Sequence, residues 1–453
     1  MPQNTSKAAR RAAAILVTAG LLVAGASACG DPDKDTPTDS ATQGQVTWWG
    51  WTPAEQVIAD TYINAFNEEY PDIEVTFKQV GLADYQSVMR PALASDQGPD
   101  LFGIAPGVTY GLFAQFGSDM TAAIEEALGS DWKSKLLLTA ADPLIDENGE
   151  LKAVPVGLNY AGPVWINQEM FDRYGLEPPT TFDEWVDVCA EFKAQGAGCF
   201  VHGAQDAAFN RDIIQAIADT IKPGLFADVL AGEEDWTQPE IIQAFAAWER
   251  MFSDGIMEDG AQGVTHYPDA NNMFLSQQYA MIQMGQWYAQ YATKAVMVPA
   301  IEGAGVSNPE PFTVVPIAFP AAYEDGTPGA WFGAADYGLA VSKKARNPKA
   351  ATTFAIWLTT SAKGQQLVAD QLNNIPALAS VSTDWQAAGL VNPDVQREPI
   401  EELIGECKQS TEGRGMEHDP AVIDSLGQAA SAVAAGEQSP ADAVEWLQET
   451  LQG

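Results

Sequence analysis

Residues 45–104 alternate between two periodicities, and that alternation limits the chain to a small set of folds. Residues 45–49 read as a short strand. Thr52-Pro53-Ala54-Glu55 then has the makings of a helix start, with a hydroxyl to cap, a proline suited to the first helical position and a glutamate to close a capping box. Val57, Ile58, Tyr62, Ala65 and Phe66 recur at helical spacing until Pro71 stops the run. Ile73, Val75 and Phe77 alternate as a half-buried strand, residues 85–94 are helix-like, and residues 100–104 form another short strand. Strand, helix, strand, helix, strand is the opening of a doubly wound α/β sheet.

The same grammar returns downstream. Residues 164–167 and 280–284 are strand-like, and Thr181-Phe182-Asp183-Glu184 is a second capping box. Asn347-Pro348 and Ser439-Pro440-Ala441-Asp442 open two later helices. A length of 453 residues makes two domains the natural expectation. Ligands of open α/β sheets bind where loops converge at the carboxyl ends of strands. Residues 50–52 and 106–110 are therefore candidate binding loops.

The amino terminus reads as an address. Lys7, Arg10 and Arg11 precede an uncharged apolar run over residues 12–25, too short to span a bilayer, and small residues lead to Cys29. Residues 1–28 are expected to be a signal peptide. Cys29 resembles the lipidated cysteine of a bacterial lipobox, although Ala26 stands where that pattern prefers Leu or Val. Residues 29–44 are polar and rich in Pro, Asp and Thr, as a flexible tether requires. Asp31, Asp33 and Asp35 resemble the start of a calcium loop, but Thr36 replaces the glycine its turn needs.

The chain has 61 acidic and 23 basic residues, a formal charge of -38. Losing residues 1–28 removes three cations and gives -41. Such a balance argues against nucleic acid as a partner and against electrostatic docking on anionic lipid. With 13 Trp, 18 Phe and 12 Tyr the chain is also no disordered acidic tract. Cys189 and Cys199 lie ten residues apart, and a local disulfide there is plausible outside the cytoplasm; Cys407 would then be unpaired. Three scattered histidines offer no zinc constellation, and no cofactor or metal is expected.

Six ordered blocks carry a resemblance to a known family. They are TWWGWTPAEQ with AFNEEYPDIEVTF and GPDLFGIAP; VPVGLNYAGPVWINQEMFDRYGLEPPTTFDEW; FLSQQYAMIQMGQW; FGAADYGLAVSKKARNPKAATTFAIWL; NIPA at residues 374–377; and AAGEQSPADAVEWLQETL. From Gln45 to Leu451 the chain resembles the extracellular solute-binding proteins of ATP-driven importers, in the carbohydrate-binding branch that includes maltose-binding protein. The resemblance implies a two-domain α/β periplasmic-binding-protein fold of type II, with three hinge crossovers and the solute in the cleft between domains. The crossovers map to residues 156–158, 333–338 and 412–415. One domain would then comprise residues 45–157 plus 336–412, and the other residues 158–335 plus 413–453. Closure around the solute is what the permease subunits of the importer would sense. A monomer held to the outer face of the membrane through Cys29 is the implied assembly.

A sugar presents apolar faces that aromatic rings cover and a hydroxyl rim that carboxylates and amides pair with. By family position Trp287, with Gln286, is the leading candidate for stacking, against the alternative of a packed Trp beside the cleft. Trp51 and Thr52 follow the first strand, and Tyr110 sits in the loop after the third. Asn159 and Tyr160 lie at the first crossover, Gln205, Asp206 and Phe209 in a loop that often touches solute, and Trp331 and Asp336 at the second crossover. At least one of Trp48 and Trp49 should be core, because neighbouring strand residues point to opposite faces.

Catalytic residues are not expected. A glycosidase would need two placed carboxylates, and no G-x-S-x-G, H-E-x-x-H or Walker-type loop is present. The alternative solutes for the same fold are a polyamine, a peptide or an anion.

Overall fold

The computed structural model describes residues 39–137, 140–414 and 420–451. The expected signal peptide, Cys29 and most of the tether lie outside these residues. Among these residues ten strands form two sheets: β1 (Gly44–Gly50), β2 (Ile73–Gln79), β3 (Leu101–Ile104), β4 (Val154–Ala161), β5 (Val164–Asn167), β6 (Gly198–Val201), β7 (Tyr279–Gln283), β8 (Val314–Ile317), β9 (Phe332–Val341) and β10 (Ile375–Pro376). The first sheet has the order β10-β4-β9-β3-β1-β2, and the second β6-β7-β5-β8. In the first, β1 pairs in parallel with β2 and β3, the arrangement that intervening helices impose. The later strand β9 enters antiparallel between β3 and β4.

β4 and β9 carry the connection between the sheets. Their pairing is shifted between Pro155 and Leu158, and Ala161 pairs with Phe332 just before the chain passes through Gly162-Pro163 into β5. The expected crossovers at residues 156–158 and 333–338 lie within these two strands. Gly333 is required there: a Cβ would stand 2.0 Å from the Asn159 carbonyl oxygen.

The third change of sheet comes earlier than residues 412–415. Thr293 already bridges to Leu390, and helix Pro393–Cys407 packs on β8. The Nε2 of Gln396 donates to Val314 O at 3.1 Å, and Asn392 Nδ2 donates to Thr313 Oγ1 at 3.3 Å. These amide bonds to β8 and the residue before it place the helix with the second sheet, although its sequence falls in the expected first-domain segment.

Local chemistry explains most element boundaries. Thr181 Oγ1 accepts from Glu184 N at 3.3 Å, while the Glu184 carboxylate reaches Thr180 N at 2.7 Å, so the box closes one residue early. Ser439 caps the last helix through Asp442 N. The first helix departs from expectation and runs Gln56–Asn67. Thr52 Oγ1 is engaged by Asn373 and the Glu55 carboxylate by Tyr291, so neither closes a box.

Two aromatic-rich cores pack the sheets, the first reaching from the first sheet to Trp165, Ile282 and Val314 of the second. Trp48 is fully buried against Phe77 and Phe354, whereas Trp49 is half-buried beneath the Lys78 ammonium, 3.8 Å from its ring. In the second core, helix Ala207–Ile221 is covered by helices Pro239–Ser253 and Pro420–Ala434, and Trp248 Nε1 donates to Ala430 O. Cys189 and Cys199 are bridged with Cα atoms 5.0 Å apart, joining helix Phe182–Ala194 to β6, and Cys407 is a buried free thiol.

Candidate functional site

On the first sheet a run of short polar side chains joins four separated segments. Asn373 Nδ2 donates to Thr52 Oγ1 at 3.2 Å and to Asn374 Oδ1 at 2.6 Å. Asn374 Nδ2 donates to Asp336 Oδ2 at 2.6 Å, and Asp336 is also hydrogen-bonded by Asn159. Burial pushes the Asp336 carboxyl above its ordinary value, opposed by Asn374, Arg414 and Asn159. The Asn159 Oδ1 is buried with no protein partner. A buried acceptor left open is costly unless something donates to it.

After β7 the chain builds a different surface. Trp287 Nε1 donates to Tyr267 OH at 3.1 Å, and the Arg414 guanidinium carbon lies 4.6 Å from the Trp287 ring. Gly285 makes this packing possible, since a Cβ there would lie 1.7 Å from the indole. Arg414 is held by Asp212 through Nη2 at 2.6 Å and Nε at 3.1 Å. The same Asp212 carboxylate accepts from Arg211 at 2.8 Å, and both residues of that pair are buried. Burial raises the Asp212 pKa, but Arg414 and Arg211 outweigh it and hold the carboxyl below its ordinary value. Behind Tyr267, Phe209 stacks on His266 with centroids 3.8 Å apart, and Asp206 accepts from His266 N at 2.7 Å.

Tyr291 and Arg414 are among the side chains that link the surfaces. Tyr291 OH donates to Glu55 Oε1 at 3.2 Å, bringing the β1 loop to the segment after Trp287. Burial raises the Glu55 pKa, and the Tyr291 hydrogen bond opposes it. Arg414 acts electrostatically on Asp336 of the first surface and on Tyr267 of the second.

The sequence candidates therefore divide. Thr52, Asn159 and Asp336 join the amide run; Asp206, Phe209 and Trp287 join the aromatic surface. Gln286 is buried beside it, its Nε2 donating to Leu372 O and its Oε1 without a partner. Trp51 is half-buried on the first sheet, edge-on to Tyr85 at 4.7 Å. The others lie elsewhere. Tyr160 is in the core, because on a strand it faces away from Asn159. Gln205 is exposed, and Trp331 bonds to the Glu406 carboxylate. Tyr110 OH is buried without a protein partner near Asp146 and Lys152; burial and then Asp146 raise its pKa. Glu55, Asp212, Tyr267, Tyr291, Asn373, Asn374 and Arg414 were missed. Asn374 had a signal as the first residue of NIPA, Glu55 lay in TWWGWTPAEQ and Arg414 in the expected third crossover; the other four had none.

Among the described residues no group of three or more His, Cys, Asp or Glu is placed to hold a metal, and no helix is long and apolar enough to cross a membrane.

Comparison with known proteins settles the family. Residues 50–365 match the model of the bacterial extracellular solute-binding proteins. The chain belongs to that family. It is 24% identical over 295 residues to the diacetylchitobiose-binding protein of Streptomyces coelicolor, covering 60% of this chain and 61% of that one. It is 24% identical over 322 residues to the melibiose/raffinose/stachyose-binding protein of Bacillus subtilis, covering 71% and 70%. The chain thus spans about three fifths of the first relative's length. Among solved structures, a maltose-bound binding protein of T. maritima superposes with a TM-score of 0.68 at 19% identity, over 90% of this chain and 99% of that one. The architecture is the two-domain α/β fold of these solute-binding proteins.

Proposed function

We propose that this solute-binding protein is a receptor for a sugar or oligosaccharide, which it delivers to the permease of an ATP-driven importer without altering it chemically. The observation that carries this reading is an aromatic surface joined, through Tyr291 and Arg414, to an amide–carboxylate run. Trp287 and Tyr267 suit the apolar face of a pyranose, while Asp336, Asn159 and Glu55 suit its hydroxyls. Relatives named for diacetylchitobiose and for melibiose, raffinose and stachyose support the same ligand class. The protein acts as a monomer, tethered outside the cytoplasmic membrane by a lipid on Cys29 after removal of residues 1–28. Its two domains follow the two sheets, and the solute lies between them. Relatives named as binding proteins favour a receptor over an enzyme.

A thermal-shift panel of neutral sugars, polyamines, peptides and small anions tests the ligand class, since a ligand that binds only the folded state raises its melting temperature. Neutral sugars should raise it and remain intact on recovery. A panel in which only amines, peptides or anions stabilise the protein would overturn the reading.

A further inference from the structure

We infer that Arg414 is a displaceable cover on Trp287 and so sets how tightly the site takes a sugar. The inference rests on the sugar-receptor reading and deepens it. Trp287 is only 9% exposed. For a side chain of roughly 150–250 Å² that leaves about 20 Å², less than one face of a pyranose would need. Gly285 lies against the six-membered ring, and the Arg414 guanidinium sits 4.6 Å from the indole. No sugar can stack on Trp287 until something moves.

Of the groups around the ring, Arg414 is the one built to leave. Gly285 is backbone between β7 and the Gln286–Ala292 helical segment, and Tyr267 holds the indole edge through Nε1 rather than covering it. Arg414 lies outside helix and strand, and its side chain keeps 15% of its surface exposed. Its anchor also tolerates its departure. Asp212 is fully buried and would be costly to strand without a cation, but Arg211 remains paired with it at 2.8 Å. The Arg211–Asp212 pair is a fixed base on which Arg414 is the second, outer cation. A sugar face replacing the guanidinium on Trp287 leaves no buried charge alone.

A cation–π contact of this kind is worth a factor of roughly two to thirty in an equilibrium constant. Removing it should therefore tighten sugar binding by that factor, the reverse of what deleting a ligand contact does. The test is calorimetric titration of maltose, raffinose and diacetylchitobiose into the wild-type protein, Arg414→Ala and Arg414→Gln. The Gln variant keeps a donor for Asp212, and melting temperatures confirm that both variants are folded. The indole N–H resonance of Trp287, assigned by its loss in Trp287→Phe, reports whether the ring is uncovered without any sugar present.

Tighter binding by both variants, or binding that the wild type does not show, together with a shifted Trp287 resonance, supports the cover. Equal or weaker binding by the variants overturns it and leaves the receptor reading intact, with Arg414 then a contact or a bystander. Failure of wild type and variants alike to bind any neutral sugar overturns both, and an unshifted resonance overturns the cover alone.

Discussion

The two surfaces of the site solve the same problem by opposite means. On the first sheet, Thr52, Asn373, Asn374, Asp336 and Asn159 form a run of short side chains in which only Asp336 can carry charge. On the second, Arg211, Asp212 and Arg414 fix a charge cluster against Trp287, backed by Tyr267, His266 and Phe209. Short amides lose little rotamer freedom and give direction to hydroxyls. Rings supply area, and here they are oriented by buried ions whose removal is expensive. Damage to the buried Arg211–Asp212 pair beneath the second surface should therefore appear mainly as lost stability, and damage to the amide run mainly as lost selectivity.

The largest expected effect is that of Asp212→Asn. It leaves the buried Arg211 guanidinium without its carboxylate, and such a broken buried pair costs about 3–5 kcal/mol. Urea denaturation measures it; a loss under about 1 kcal/mol would break the contrast between the surfaces.

Next comes acid. Burial, opposed by Asn210 and Asp212, lowers the His202 pKa from 6.5 to about 4. The unfolded chain thus binds a proton that the folded one resists. The stability of the neutral ring is complete above pH 6.5 and is lost as pH falls through about 4, to a total of about 3 kcal/mol. Melting curves from pH 7 to 4 should show the wild type losing stability relative to His202→Gln, a difference in which the other groups titrating over this window cancel. Glu258 works from the other side. Burial raises its pKa to about 8, so its contribution is complete below 4.5 and is lost as pH rises through 8.

Trp287→Ala should weaken sugar binding by about 2 kcal/mol, roughly thirty-fold, as loss of a central aromatic anchor does. A change under about threefold in a titration would remove Trp287 from the site. The smallest effect is that of Asn374→Ala, which removes the hydrogen bonds to Asp336 and from Asn373 at a cost of about 1–2 kcal/mol in stability. Its effect should differ between sugars with different hydroxyl stereochemistry; equal losses for all would make the amide run a scaffold only.

What the sequence revealed follows the range of the interactions. Thr181 with Glu184 and Ser439 with Asp442 are signals spanning three residues, and both occur as helix starts. The alternation of Ile73, Val75 and Phe77 marks β2 for the same reason. Arg414 and Asp212 are 202 residues apart, and neither lies in a distinguishing motif, so no local pattern announces their pairing. Glu55 misled because one carboxylate serves a helix cap or a distant Tyr291 equally well, and only the tertiary fold decides. Helix Pro393–Cys407 misled likewise: its own periodicity does not say which sheet it covers, and Gln396 bonding to β8 does.

The most direct test of the account is a calorimetric titration of the intact protein with neutral mono- and oligosaccharides, followed by recovery of the sugar. Saturable one-to-one binding of at least one sugar is expected, weakened roughly thirty-fold in Trp287→Ala, with the sugar recovered unchanged. Absence of saturable binding across the panel, or recovery of a cleaved product, would contradict it.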